Sequence, residues 1–303
     1  MPETDPTLLD ALHDTERLII KQKVELLEAA ANAAANAVGL DGLGAFGEMA
    51  NEYNIYADDG GGGNHKFRVM ETSDYCGFTG RVCCRPNHAL KLHVFKPEDM
   101  ETELMYMDRP CKCGGPCCCA CADICQQEMK VYQGDLKSDG EPNPSHLIGH
   151  IQTPMMGGLL SPTLNVMERE GAEPFATITA EATCCIGGMC CDHTFKVEDA
   201  NGNYMGKIVK ERPEGLAQVA KELGTDADNF TLYLNKDLDV QKKANMLAAL
   251  HLIDYWLFED EGDLNVDLVN QECTCKCCDL YCCGAVCPCS CNCGGGDSDD
   301  SGS

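Results

Sequence analysis

Between Asn51 and Asn235 the chain is a succession of short stretches in which apolar and polar residues largely alternate. NEYNIYAD, HKFRVMET, ALKLHVF, TELMYMD, QEMKVYQ, LIGHIQT, TLNVMER, ATITAEA, HTFKVED, YMGKIVK and NFTLYLN follow the two-residue period of half-buried strands. DGGGGN joins the first two as a hairpin with a loose loop, and GAEP and EDANGN (Glu198 to Asn203) supply turn chemistry further on. Eleven short strands with no helix between them predict a closed antiparallel barrel or a sandwich.

Two segments break this pattern. From Leu8 to Ala37, Leu8, Leu12, Ile19, Lys23, Leu26 and Leu27 fall near a helical spacing, and the Ala-rich end has high helix propensity. Gly42, Gly44 and Gly47 then form G-x-G-x-x-G, but behind a helix rather than a strand, so the stretch reads as a flexible connector, not a dinucleotide loop. The second break is Val240 to Phe258, VQKKANMLAALHLIDYWLF, whose apolar residues cover every side of a helix. Such a helix is either a core element or a membrane span. Only ten residues separate Lys243 from Asp254, and His251 is among them. A bilayer requires about 20 apolar residues, so burial inside the protein is the preferred reading. Lys242 and Lys243 before the segment and EDEGD after it carry the opposite bias, that of a span with a cytosolic N-terminus. His251 and Asp254, three apart on one face, are placed to satisfy each other by a hydrogen bond.

These patterns divide the chain into a helical segment and connector over residues 1–50, a barrel with its central helix (240–258) over 51–262, and a cysteine-rich tail over 263–303. The tail closes on GGGDSDDSGS, an acidic end expected to be disordered.

A net charge of −26 argues against an electrostatic nucleic-acid binder, which needs a basic face, and equally against docking on anionic lipid. Membrane attachment therefore calls for acyl chains, bridging cations or an apolar segment. The chain carries 24 cysteines, and MPETDPTLLDALHDTERLII has no basic region followed by an apolar one, so no secretory signal is expected. In a reducing compartment disulfides are disfavoured, which leaves metal ligation and S-acylation.

CKCGGPCCCACADIC, residues 111 to 125, holds seven of these thiols. Acylation suits the clustering, because a single chain anchors only marginally and neighbouring acceptors turn contact into attachment. Cys111, Cys113, Cys117 and Cys121 can instead supply four thiolates to zinc, yet no pair of C-x₂-C knuckles separated by a long loop is present. Lipidation is the preferred reading. CCIGGMCC, from Cys184 to Cys191, reads as small apolar residues flanking a hairpin turn. ECTCKCCDLYCCGAVCPCSCNC adds ten cysteines from Cys273 to Cys293 and lacks the large side chains a core needs. Further acylation and a cluster for soft cations such as Zn²⁺ or Cu(I) both stay open for it.

Several stretches together resemble the phospholipid scramblase family, relatives of the tubby-like fold. They are ERLIIKQKVELLEA, DRPCKCGGPCCCACADICQQEMKVY, IGHIQTP, CCIGGMCCDHTFKVED with GNYMGKIVK after it, and TDADNFTLYLNKDLDVQKKANMLAALHLIDYWLFED, in family order from Leu8 to Asp260. The resemblance implies a mainly β fold, a twelve-stranded antiparallel barrel closed around a hydrophobic C-terminal helix. It also implies calcium-activated, ATP-independent movement of phospholipids between leaflets. Membrane phospholipids would be the partners, at the cytoplasmic face of the plasma membrane, with anchorage by acylation or by the C-terminal helix.

Residue by residue, the resemblance implies acylation in the thiol run before Gln127 and Glu128, at Cys117, Cys118, Cys119, Cys121 and Cys125. The family's usual second paired cysteine falls here on Ile124. The family's calcium segment corresponds to DADNFTLYLNKD, Asp226 to Asp237. As an EF-hand loop it is poor, with Thr231 where Gly makes the sharp turn and Asp237 where Glu would bind twice. The alternation of NFTLYL is strand chemistry, and a strand cannot wrap an ion. A weak Ca²⁺ site is therefore expected at Asp226 and Asp228, with Asp237 or Asp239 contributing where the barrel brings them near. Asn229-Phe230-Thr231 matches a glycosylation acceptor, but a cytosolic strand would not meet the enzyme.

No nucleophile elbow, no phosphate loop in proper context and no H-E-x-x-H motif is present, so a lipid translocator is expected rather than a catalytic enzyme. Two alternatives remain: a lipid-anchored interaction or signalling protein without transport, and a thiol-rich metal-binding protein.

Overall fold

The computed structural model describes residues 11–23, 51–57, 64–72, 88–112, 121–134, 143–182, 185–186, 193–211, 229–258, 264–267 and 272–292. Its strands in chain order begin β1 (Arg17–Lys23), β2 (Glu52–Ala57), β3 (Asn64–Thr72), β4 (Leu90–Lys96), β5 (Asp99–Arg109), β6 (Glu128–Gln133), β7 (Leu147–Gln152), β8 (Thr163–Met167) and β9 (Ala176–Ala180). They continue with β10 (Cys185–Ile186), β11 (His193–Asp199), β12 (Tyr204–Lys210), β13 (Asn229–Leu234), β14 (Leu264–Asp267), β15 (Glu272–Cys282) and β16 (Ala285–Asn292). Twelve of them close into an antiparallel barrel in which each strand pairs with its successor, β9 passing over β10 to β11, and β1 shuts the ring between β2 and β13. Each of the eleven alternating stretches is one of these strands. Their inward faces are the alternate residues, such as Tyr53, Ile55 and Ala57 on β2 and Leu90, Leu92 and Val94 on β4.

The twelfth strand corrects the expected N-terminal helix: Arg17–Lys23 is extended, and the barrel begins ahead of residue 51. Leu18 and Ile20 point inward and are fully buried, a two-residue period hidden among residues that also fit a helical spacing. The unpaired edges of β2 and β13 decide between the periods, because β1 gives each a ladder partner, Ile19 facing both Tyr56 and Thr231. Residues 24–37, and the glycines of the connector, lie outside the described residues.

The barrel is filled by α1 (Val240–Ile253), which continues into a wide turn over Asp254–Phe258. Apolar residues surround it because strands do, and Met246, Leu247, Leu250, Leu252, Ile253 and Trp256 are all buried. No helix among the described residues is long and apolar enough to cross a membrane. Asp239 caps α1 by accepting the Gln241 N–H at 2.9 Å. Lys243, fully buried, donates to the carbonyls of Leu12, His13 and Thr15 at 3.1, 2.7 and 3.1 Å, so the chain ahead of β1 seals the rim where the helix starts. At Gly149 on β7 the helix comes so close that a Cβ would strike the Asn245 side chain, whose amide donates to the Ile148 carbonyl at 3.0 Å.

The helix leaves by the opposite rim, called here the exit rim. There Asp254 accepts the Tyr53 hydroxyl at 2.8 Å, and Tyr255 donates to Glu71 at 3.0 Å. Asp254 thus meets a tyrosine rather than His251, contrary to the pairing expected from their spacing. His251 is buried edge-on to the Tyr53 ring, and neither of its nitrogens has a hydrogen-bond partner among the described residues.

The tail returns to this rim as a second sheet. β15 pairs with β14, β16 and the two residues of β10, and Cys283–Gly284, both at positive φ, make the tight turn between β15 and β16. Among its described side chains, Tyr281 joins the barrel's core: it is buried edge-on to Trp256 and donates its hydroxyl to the Gly157 carbonyl at 2.6 Å.

Candidate functional site

The thiol loop runs from the end of β5 to the start of β6, and its neck is heavily bonded. Lys112, between the first two cysteines of the run, reaches Glu128 on β6 at 2.6 Å. The other oxygen of Glu128 accepts from Nε2 of buried His150 on β7 at 3.1 Å. The His150 hydrogen bond first, and Lys112 after it, hold the Glu128 carboxyl at about 2, far below its usual range despite partial burial. Gln127 completes the closure. Its side chain accepts from Nη2 of buried Arg109 at 2.7 Å, its N–H donates to the Thr153 hydroxyl at 3.0 Å, and its carbonyl accepts the Thr153 N–H at 2.9 Å. Arg109 and Gln127 therefore close the loop across its base, with Lys112 and Glu128 as the second rung. The Gln-Glu pair that marked the thiol run in the sequence is its structural anchor.

Of the expected acyl acceptors, Cys121 is exposed, and Cys125 is half-buried at the end of a short 3₁₀ turn, Asp123–Cys125. Cys117, Cys118 and Cys119 lie outside the described residues. The bonded neck thus carries exposed thiols, Cys111 and Cys121, at the margins of the loop.

The calcium segment is split by the fold. Asn229–Leu234 is strand β13, as its alternation predicted, and Asp226 and Asp228 ahead of it lie outside the described residues. Asp237 and Asp239 follow its other end, on the rim where α1 starts, separated from Asn229 by about 17 Å of extended backbone at 3.4 Å per residue. Both are exposed, and Asp239 is engaged as the helix cap. Two exposed carboxylates do not make the six to eight oxygens of a calcium cage, and no group of three metal-capable side chains occurs among the described residues.

Sequence reasoning missed the Lys112–Glu128–His150 cluster and the docking of Tyr281. A lysine inside a cysteine run, and a lone tyrosine in a tail of small residues, were the available signals.

A closed antiparallel barrel threaded by a buried helix, with a clamped thiol loop on the rim where the helix leaves, defines the class: a helix-centred barrel with a cysteine-rich rim. A family model described as Scramblase matches residues 1–260, and the chain belongs to that family. It is 28% identical to phospholipid scramblase 1 of Homo sapiens over 268 residues, covering 86% of this chain and 70% of the relative. Against phospholipid scramblase 2 of Bos taurus the identity is 29% over 259 residues, 85% of this chain and 73% of the relative. Phospholipid scramblase family member 5 of Homo sapiens is 25% identical over 255 residues, 84% and 78% of the two chains. No solved structure matches the chain. The cysteine-rich tail lies beyond the residues the family model covers.

Proposed function

We propose that the protein is a membrane-associated scramblase that moves phospholipids between leaflets without ATP and in response to calcium, and that it is a lipid translocator rather than a catalytic enzyme. The observation that carries this reading is family membership over residues 1–260 together with relatives named phospholipid scramblases. Acyl chains on Cys117, Cys118, Cys119, Cys121 and Cys125 hold the barrel at the cytoplasmic face of the membrane. The clamped neck supports that role, since it ties the loop to β6 and β7 and passes the tether's pull to the barrel. The described part of the calcium segment does not fit a closed ion site, so no step is assigned to a bound ion. A net charge of −26 repels an anionic leaflet, and divalent cations weaken that repulsion wherever they bind.

The test is reconstitution of the purified chain into liposomes with a fluorescent phospholipid in one leaflet, with and without calcium and with no nucleotide. Calcium-dependent loss of asymmetry is expected. A well-folded protein that leaves the label in place under both conditions would sink the transport reading and leave an interaction role.

A further inference from the structure

The topology sorts the cysteines. All 24 belong to the connections β3 to β4, β5 to β6 and β9 to β11 or to the tail after α1, and each of these segments starts from the exit rim. None is in a barrel strand or in a connection of the opposite rim. The exposed apolar residues are polarised the same way. Met155, Leu159, Leu160 and Leu280 are 72, 59, 49 and 50% exposed, and of the five large apolar side chains exposed among the described residues only Tyr204 is elsewhere. Met155, Leu159 and Leu160 project from the β7 to β8 connection, where Met156 and Leu159 hold positive φ, an unfavourable conformation for their residue types. The tail turn locks that connection, the Cys283 N–H donating to the Leu159 carbonyl at 2.6 Å. Packing thus fixes these side chains in water when nothing covers them. Beside them on the docked hairpin, Cys282, Cys287 and Cys289 are exposed thiols.

We propose that the exit rim is the face the protein lays on a lipid bilayer, with the β7 to β8 connection and Leu280 entering the interface and the tail hairpin carrying a second set of acylated cysteines. The orientation that follows stands the barrel on the rim from which α1 leaves. Lipid is the occupant because two independent features, apolar side chains held outward and clustered acyl acceptors, converge on one rim, and each serves an interface with hydrocarbon. A second copy of the chain is opposed by the net charge of −26 on each. The covalent step is a thioester exchange. A tail thiolate attacks the carbonyl of a long-chain acyl thioester, the carrier leaves as its thiol with the proton the cysteine gave up, and nothing is oxidised or reduced. The proposal rests on the membrane association in the function proposed above and deepens it by assigning the contacting face.

The experiment uses the full chain. Unacylated protein is floated with phosphatidylcholine vesicles as wild type, as Met155→Glu/Leu159→Glu/Leu160→Glu, as Leu280→Glu, and as Tyr204→Glu, an equally exposed control on the other rim. The triple variant should lose partitioning by about tenfold or more and Leu280→Glu by several-fold, with Tyr204→Glu unchanged. All three variants replace exposed side chains, and melting curves confirm that they fold. Protein from cells is also mapped for thioesters, where the peptide containing Cys282, Cys287 and Cys289 should carry acyl chains. Equal partitioning of the triple variant and Tyr204→Glu overturns the proposal, as does a tail recovered unacylated or loaded with zinc or copper. Lipid movement is scored separately: a protein that docks by this face and moves no label defeats the transport reading alone, and one that moves label with the triple variant unimpaired in binding defeats this one alone.

Discussion

Nζ of Lys112 lies 2.6 Å from Oε2 of Glu128, and this contact spans the neck of the thiol loop. Glu128 also holds His150, so Glu128→Gln loosens two partners at once. A loss of roughly 2–3 kcal/mol is expected in urea unfolding at neutral pH. The pH dependence follows from the depressed carboxyl. Its contribution is complete above its ordinary value near 4.5 and is lost as pH falls through about 2. The gap between wild type and Glu128→Gln should therefore be flat from about pH 5 to 8 and close below about pH 4.

Burial pushes the His251 imidazole down to about 3. Between the usual histidine value near 6.5 and this one, the unfolded chain binds a proton that the folded chain refuses, so stability falls as the solution is acidified. His251→Leu removes both the proton linkage and two buried nitrogens that have no hydrogen-bond partner among the described residues. Its melting temperature should match or exceed that of wild type at neutral pH, with an advantage that grows on acidification to pH 5. A variant less stable at pH 5 than at pH 7 relative to wild type would refute the assignment.

Gly149 on β7 is the point of closest approach to α1. Gly149→Ala drives a methyl group into Asn245 and should cost about 2–3 kcal/mol. Asn245→Ala alone should also destabilise, by leaving the Ile148 carbonyl without its donor. In the double variant the clash is relieved, so the double-mutant cycle should show a favourable coupling of about 1 kcal/mol or more.

Tyr281 is the rivet between tail and barrel. Tyr281→Phe should remove about 1 kcal/mol with the hydroxyl contact to Gly157, and Tyr281→Ala should release the hairpin. Limited proteolysis checks this: cleavage after residue 258 should accelerate sharply in Tyr281→Ala, only slightly in Tyr281→Phe, with the barrel resistant in both.

The barrel strands after β1 were legible because alternation is local: a residue such as Ile55 needs only its neighbours Asn54 and Tyr56 to declare which face it occupies. The short β10 and β14 and the cysteine-rich β15 and β16 carry no sustained alternation and were not read as strands. The burial of α1 was legible from the apolar girdle of Val240 to Phe258 and its shortness. β1 was not, because Ile19 and Lys23 fit a helical spacing while Leu18 and Ile20 carry the two-residue one, and the choice rests with strands β2 and β13, more than 30 and 200 residues away. The thiol run announced itself as a candidate site, yet nothing local showed that Lys112 and His150 converge on Glu128.

By itself, then, the sequence determined the mainly β character, the lone core helix and where the thiols cluster along the chain, since each is a matter of period, length or composition within a window. Only the tertiary structure decided that β1 closes the ring, that Asp254 meets Tyr53 instead of His251, and that segments as distant as Cys121 and Cys282 share one rim. Antiparallel closure is the physical reason: it sends alternate connections to opposite rims, and a residue's rim depends on how many strands precede it, a quantity no local stretch contains.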